Sequence, residues 1–552
     1  MAAAAFDRAT MLERLRNEEF DVLVVGGGIT GAGVALDAAT RGLRTALVER
    51  DDFASGTSSK SSKLIHGGLR YLQNGDIRLV YEALHERQRL LKNAPHLVRV
   101  LPFMIPVLTK DGVVSRKIAR ALGTAMWMYD VTGGWRIGKR HRRLRADDAF
   151  THLPTMPRER LASAYLYYDA ATDDARLTLA VVRTAARNGA AIANRSRVTS
   201  FTRDGDGRID GAVVDTGEDE LAVRARVVVS ATGVWTDEVR TLDEVADPDS
   251  IRPAKGIHLT VPWHKVRNDI AVVIPVPRDR RSLFVVPWGP RPDGTYEHTY
   301  IGTTDTDYDG PLDDPQCTGD DVAYVLGALN HSITTGVTAD DVTGQWAGLR
   351  PLVKAASSGR TADLSRGHQV ASSEAGLIRV TGGKLTTYRA MADDTVDAVQ
   401  RAIGTRGRSR TKKLKLVGAD GYKEPQPRSP DAHLAGRYGT EAAEVKALIA
   451  FDPSLAEPLV PGLPYLRAEA VFAVRHEMAT TLDDVLARRT RAHLFDRAAS
   501  LAAAPDVAAL IGAELGWEAD EVTRQVANYR RICETEQHAS VVTEVELLSD
   551  HA

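Results

Sequence analysis

Cysteine is nearly missing from this chain of 552 residues: there are two, Cys317 and Cys533, far apart and in no CxxC pair. That excludes a disulfide framework and a cysteine-built structural zinc site, and it suits a reducing compartment. Net charge is nearly missing too. Lys and Arg number 71 against 73 Asp and Glu, which argues against a dedicated nucleic-acid binder. No uncharged apolar run reaches the ~18 residues of a membrane-spanning helix. The opening MAAAAFDRATMLERLRNEEF has no apolar core of a secretory signal. It reads as a disordered start followed by a short amphipathic helix, so a cytosolic or membrane-peripheral protein is expected. Repeats at solenoid periods are absent, and no metal site is expected. A chain of this length is too long for one core, and two to four domains are expected.

What is present centres on the stretch from Phe20 to Asp52, FDVLVVGGGITGAGVALDAATRGLRTALVERDD. Val22–Val25 reads as a buried strand, the glycines that follow turn into a helix ended by Gly42, and Thr45–Val48 is a second strand ending at Glu49. Each part has a task in holding a dinucleotide. Gly26 permits the tight turn, Gly28 keeps side chains off the pyrophosphate, and Gly31 lets the helix pack closely on the sheet. The helix N-terminus offers free N–H groups and partial positive charge to phosphates. Glu49 stands where a carboxylate can accept hydrogen bonds from an adenosine ribose. This unit specifies a dinucleotide without saying which one.

The run Ser55–Tyr71, SGTSSKSSKLIHGGLRY, has the composition of a linker but follows directly on the ribose-binding acid and ends in an ordered pattern. Its hydroxyls, Ser58 and Ser62 among them, could meet pyrophosphate and ribityl oxygens. A helix is expected over 78–93 and a strand over Leu101–Leu108. Residues 111–145 then turn basic, with Arg116, Lys117, Arg120, Arg136, Lys139, Arg140, His141, Arg142, Arg143 and Arg145 around Met126–Tyr129. This is either a solvated face or an amphipathic membrane-surface patch. A helix capped by Thr172 or Asp173 precedes a β-meander (Ala190–Asn194, Val198–Phe201, Ile209–Val214, Leu221–Ala225), and RVVVSATG forms a buried strand. Residues 251–345 are strand-rich and read as an antiparallel sheet inserted between pieces of the nucleotide-binding domain. Leu377–Tyr388 gives strand, glycine turn and helix start, a second helix N-terminus for an anion or an electron-rich oxygen. Beyond the basic run Arg406–Lys415 and the prolines 425, 427 and 430, helical spacing dominates, as in VFAVRHEMATTLDDVLARRTR.

Taken together, GGGITGAG, TSSKSSKLIHGGLRY, SATGVW, KGIHL, GTTDTDY, GLRPL and TGGKLTTYR resemble the FAD-dependent glycerol-3-phosphate dehydrogenase family, of the glutathione-reductase-like and D-amino-acid-oxidase-like flavoproteins, from about Asp21 to Arg491. The fold class implied is α/β: a Rossmann-type FAD-binding domain with an inserted antiparallel β-sheet substrate domain and a C-terminal α-helical domain. The expected division is a leader (1–19), an FAD-binding domain (20–100, 155–250, 345–405), a substrate and membrane-facing domain (101–154, 251–344), a linker (406–430) and a helical domain (431–552). The resemblance implies oxidation of sn-glycerol 3-phosphate to dihydroxyacetone phosphate, hydride passing from C2 to flavin N5 and electrons to a membrane quinone. A phosphate dianion calls for fixed guanidinium groups, and the residues implied are Arg70, Arg350 and Arg366, with Tyr71 and Lys384 beside them. The C2 hydroxyl proton needs a base poised near neutral pH; His258 is preferred, with His66 as second candidate or as a packing partner of the flavin. Gly26, Gly28, Gly31, Glu49, Ser58, Ser62, Leu64, His66, Val198, Ala231, Gly233, Gly382, Gly383, Lys384 and Leu385 are expected to hold FAD. The expected location is the inner face of the cytoplasmic membrane, peripherally, with a homodimer left open. Two alternatives stand: an oxidase that passes electrons to oxygen, and a non-catalytic flavin-binding regulator. An NAD-dependent enzyme would leave SATG and GGKLTT unexplained.

Overall fold

The computed structural model describes residues 6–68, 77–109, 123, 126, 127, 138–243, 250–277, 279, 281–353, 367–426, 429 and 431–549. Arg70, Tyr71, Arg366 and the basic residues Arg116, Lys117, Arg120 and Arg136 lie outside these, as do residues 1–5, Met128, Tyr129, Pro427 and Pro430.

The described residues form three sheets and a helical domain. The first sheet has six strands. At its centre Val22–Val25 pairs in parallel with Thr45–Val48 on one side and Val228–Ser230 on the other. Ile378–Gly382 adds in parallel beyond Val228–Ser230, and His368–Ser372 closes that edge antiparallel. The central strands are buried throughout, which explains their unbroken valines. Helices Ile29–Thr40, Asp174–Arg187 and Tyr388–Ala402 cover it with small or aliphatic faces. Asp173 is the N-cap of the second of these, its side chain accepting from Arg176 N–H. The meander Arg197–Arg203, Ile209–Asp215, Glu220–Arg224 forms a separate three-stranded sheet.

The third sheet has ten strands, eight along its main path and two paired beside it, and draws on more of the chain than residues 251–345. Leu64–Ile65, Val98–Leu108 and Leu161–Thr172 join it from the N-terminal side, and Gly344–Val353 pairs along Ile251–Pro262. Its pairing is antiparallel except where Ala271–Pro275 meets Val98–Leu108. Leu161–Thr172 is buried on both faces, so it shows no alternation by which to recognise it. The sheet brings two distant residues together: Ala254 stands opposite Arg350, and His258 opposite Trp346.

From Ala432 onward the chain is helical, with one departure from the expected pattern. The stretch VFAVRHEMATTLDDVLARRTR is not one helix. Arg467–Glu477 stops at Met478 in a left-handed conformation, and Asp484–Arg489 forms a π-helical turn. The break lets Arg488 and Arg489 reach Asp52, and Arg491 reach Asp173 and Asp174. One described helix, Arg497–Leu515, is long and apolar enough to cross a membrane by length and composition. Its Ala504, Val507, Ala508 and Ile511 are buried in the core of the helical domain.

Candidate functional site

A cleft of about 640 Å³ opens where the six-stranded and ten-stranded sheets meet. Its nucleotide end is built on the first strand–turn–helix. Gly26 has φ +110°, and a Cβ there would lie 2.7 Å from Ala231 O. A Cβ on Gly31 would come 1.9 Å from Gly26 O, so Gly31 works beneath the cleft by allowing helix and turn to touch. Gly28 faces the cleft, with Ser58 as its nearest neighbour. Ser58 Oγ, on the following loop, accepts from Ile29 N–H (2.9 Å) and so caps the helix that Gly28 cannot cap itself.

Glu49 closes this end. It accepts from Gly27 N–H (2.6 Å) and Asp51 N–H (2.9 Å), and burial pushes its carboxyl up to about 7 against those two donors. Val198, Ala231 and Gly233 line the same end. Sequence reasoning did not single out Arg50 and Trp235, which also line it; the guanidinium lies 4.5 Å above the indole.

Toward the other end the cleft is lined by Ser62, Leu64 and His66 from the serine-rich loop, and by Gly382, Gly383, Lys384 and Leu385 from the opposite side. The pair Gly382–Gly383 (φ +74° and +83°) turns the chain from strand into the short helical turn Leu385–Thr387. Thr386 Oγ donates to the His66 carbonyl (3.4 Å), joining the two walls. His66 thus enters through its backbone in the contact that ties the loops.

His258 and Arg350 occupy the third wall. His258 is 2% exposed, its ring stacked on Trp346 at 4.7 Å and 9° between planes. Nε2 lies 3.0 Å from Ser62 Oγ, and Nδ1 has no hydrogen-bond partner among the described residues. Burial, with Lys63 and Arg350 nearby, holds this imidazole well below the usual histidine range, so it is neutral at neutral pH. Arg350 donates to Thr303 Oγ (2.9 Å) and the Thr304 carbonyl (3.0 Å), and pairs with Asp305 (3.2 Å). Gly256 leaves room for this guanidinium: a Cβ there would sit 2.4 Å from it. Lys63, Trp346 and Thr303 went unread as site residues. Lys63 lies inside the SSKLIHGG motif and Thr303 inside GTTDTDY, and those motifs were the available signal.

The cleft fits an extended dinucleotide flavin on its own geometry. One end is a glycine cradle at a helix N-terminus with a buried acid, and the other is a glycine turn facing a cationic wall. Among the described residues no group of three or more His, Cys, Asp or Glu could hold a metal ion.

Comparison with known proteins agrees with this construction. Residues 21–389 match the FAD dependent oxidoreductase family, and residues 409–522 match the C-terminal domain of alpha-glycerophosphate oxidase. Glycerol-3-phosphate dehydrogenase 2 of Mycobacterium bovis is 42% identical over 544 residues, covering 96% of this chain and 90% of that protein. The human mitochondrial glycerol-3-phosphate dehydrogenase is 38% identical over 555 residues, covering 95% and 74%. A Bacillus halodurans glycerol-3-phosphate dehydrogenase solved in complex with FAD superposes with a TM-score of 0.75 at 31% identity, covering 96% of each chain. Matches of this length and identity, on a cleft built to take the cofactor, mean that the chain belongs to the FAD-dependent glycerol-3-phosphate dehydrogenase family.

Proposed function

We propose that this protein oxidises sn-glycerol 3-phosphate to dihydroxyacetone phosphate and delivers the electrons to a membrane quinone, working at the cytoplasmic face of the membrane. The observation that carries the reading is the meeting of His258, Arg350 and Lys384 at the far end of a cleft whose near end is a nucleotide cradle. The chemistry FAD supplies when bound is acceptance of hydride from C2 at N5. The chain's own residues do the rest. Arg350 presents a planar fork, already fixed by Thr303, Thr304 and Asp305, to the substrate phosphate. Lys384 adds a second cation. His258 takes the C2 hydroxyl proton: when Nε2–H donates to Ser62 Oγ, Nδ1 carries the lone pair. The backbone at Gly382–Leu385 favours the negative charge that builds up on the reduced ring.

Support for a quinone acceptor and a membrane location comes from the basic segment. Of its described part, Arg142, Arg143 and Arg145 are exposed on an edge strand anchored by buried Leu144. Trp127 is 65% exposed. The test is anaerobic reduction of the purified flavoprotein by glycerol 3-phosphate, followed by separate addition of a quinone and of oxygen. Rapid reoxidation by the quinone is expected. Rapid reoxidation by oxygen alone would assign an oxidase instead, and no bleaching by glycerol 3-phosphate would return the protein to a binding role.

A further inference from the structure

Lys63 stands at the reacting end of the cleft without lining it. Its neighbours Ser62 and Leu64 form the wall, while Lys63, with a left-handed backbone (φ +56°) that side chains rarely adopt, is 2% exposed. Its ammonium donates to the Ser59 carbonyl (3.1 Å) and to Asp174 Oδ1 (3.0 Å). It also lies 4.6 Å from the centre of the Trp346 ring, the indole on which His258 stacks. The same loop pins that indole, since Trp346 Nε1–H donates to the Ser61 carbonyl (3.1 Å). The charges around Lys63 are Asp174, Asp173 and Arg491; those acting on His258 are Lys63 and Arg350. Asp174 is shared, accepting from Ser61 and pairing with Arg491, so Lys63 is not simply neutralised by one private partner.

From this geometry we infer that Lys63 is a positioning residue for the reaction: its buried ammonium, one indole away from His258, opposes a second positive charge there and so keeps the His258 ring free to accept a proton. The inference rests on His258 being the base of the proposed oxidation. The indole face offsets part of the cost of burying this cation, and in a water-poor interior its field is little screened. The consequence is a weaker base that stays unprotonated further into acid. Lys63 itself is pushed down to about 8 by burial, with Arg491 adding to the shift, so its charge is present across the neutral range.

The experiment is the pH profile of kcat/KM for glycerol 3-phosphate in wild type, K63Q, K63R and H258N holoenzymes, with FAD content and Tm measured alongside. K63Q keeps amide donors for Ser59 and Asp174 but no charge. Its acid limb is expected to move up by about one pH unit, and K63R to restore the wild-type limb. H258N is expected to lose the limb. An unmoved limb in K63Q beside a lost limb in H258N overturns the role of Lys63 alone. A limb that persists in H258N at its wild-type position overturns the base assignment and this inference with it. A K63R profile matching K63Q overturns the role of charge. If K63Q yields no folded flavoprotein, histidine ¹⁵N shifts of the wild type decide. The His258 signal should stay neutral well below the pH at which an ordinary histidine titrates, and titration at an ordinary histidine pH overturns the inference.

Discussion

Glu49 has two backbone donors and is still pushed up to about 7 by burial, a conflict that an adenosine ribose bound there would relieve. A carboxyl raised in this way stabilises the flavin-free fold fully below its unfolded range and loses that contribution as pH rises through about 7. Ribose hydroxyls donating to the carboxylate would favour the ionised form, so flavin binding is expected to release a proton. FAD affinity should therefore weaken about tenfold from pH 8 to pH 6. Titrating apoprotein with FAD at both pH values checks this, and Glu49→Gln should flatten the difference. Arg350 makes a different case. Arg350→Ala is expected to raise KM for glycerol 3-phosphate about 30- to 100-fold by removing a charge-assisted contact, with FAD content retained. Arg350→Lys should recover only part, because an ammonium lacks the fork. That His258 and Arg350 would share a cleft was legible because they stand in compact motifs, KGIHL and GLRPL. Lys63 was not, because its meaning lies in Asp174 and Trp346, more than a hundred residues away.

Legibility at the scale of elements follows the range over which a signal acts. The first strand–turn–helix was readable because turn, cradle and helix packing all fall within one short run. Gly31 answers to Gly26, a few residues off, although Gly26 itself answers to Ala231 across the sheet. The ten-stranded sheet was not readable as a whole. Its inserted strands between 251 and 345 carry their own Pro and Gly punctuation, but Leu161–Thr172 and Gly344–Val353 join through pairing with distant strands. Nothing in LASAYLYYDAAT announces a partner at Val98–Leu108. The cradle makes its own prediction. Gly31→Ala sets a Cβ 1.9 Å from a backbone oxygen that no side-chain motion can clear, so the variant should purify colourless or not fold. Ser58→Ala removes the acceptor for Ile29 N–H and one hydroxyl from the cleft wall, leaving the glycine cradle intact. It should keep its flavin and lose about 1 kcal/mol, the worth of a helix cap. The flavin absorbance spectrum and a thermal melt separate the two.

Across the whole molecule, two surfaces do what no single element can: one faces outward and one joins the helical domain to the flavin domain. Outward, Arg140, Arg142 and Arg143 are exposed. Changing all three to Gln should weaken co-sedimentation with anionic liposomes, as should high salt; unchanged partitioning would make the segment a solvated face. The joining surface is built from buried ion pairs. Asp52, beside the nucleotide strand, is held ionised against its burial by Arg489 (2.7 Å) and Arg488 (2.6 Å) of the helical domain. Arg176 meets Glu477 at 2.6 Å, and Arg183 meets Glu441 at 2.6 Å. All these groups are buried or nearly so, and desolvation makes such pairs weak net stabilisers that are costly to break. Glu477→Ala leaves the Arg176 guanidinium buried without its partner and should cost about 3–5 kcal/mol. The double variant Arg176→Met/Glu477→Leu removes both charges and should be less destabilised than Glu477→Ala alone. Arg183 and Arg489 lie 3.7 Å and 3.9 Å from Glu477, so some penalty will remain in the double variant. Calorimetry of the three holoenzymes reads the order directly. Limited proteolysis around residues 423–431 reports whether the helical domain has come loose. If the double variant is as unstable as the single one, the interface depends on those charges for its geometry, and the helical domain is docked by specific pairing rather than by apolar burial.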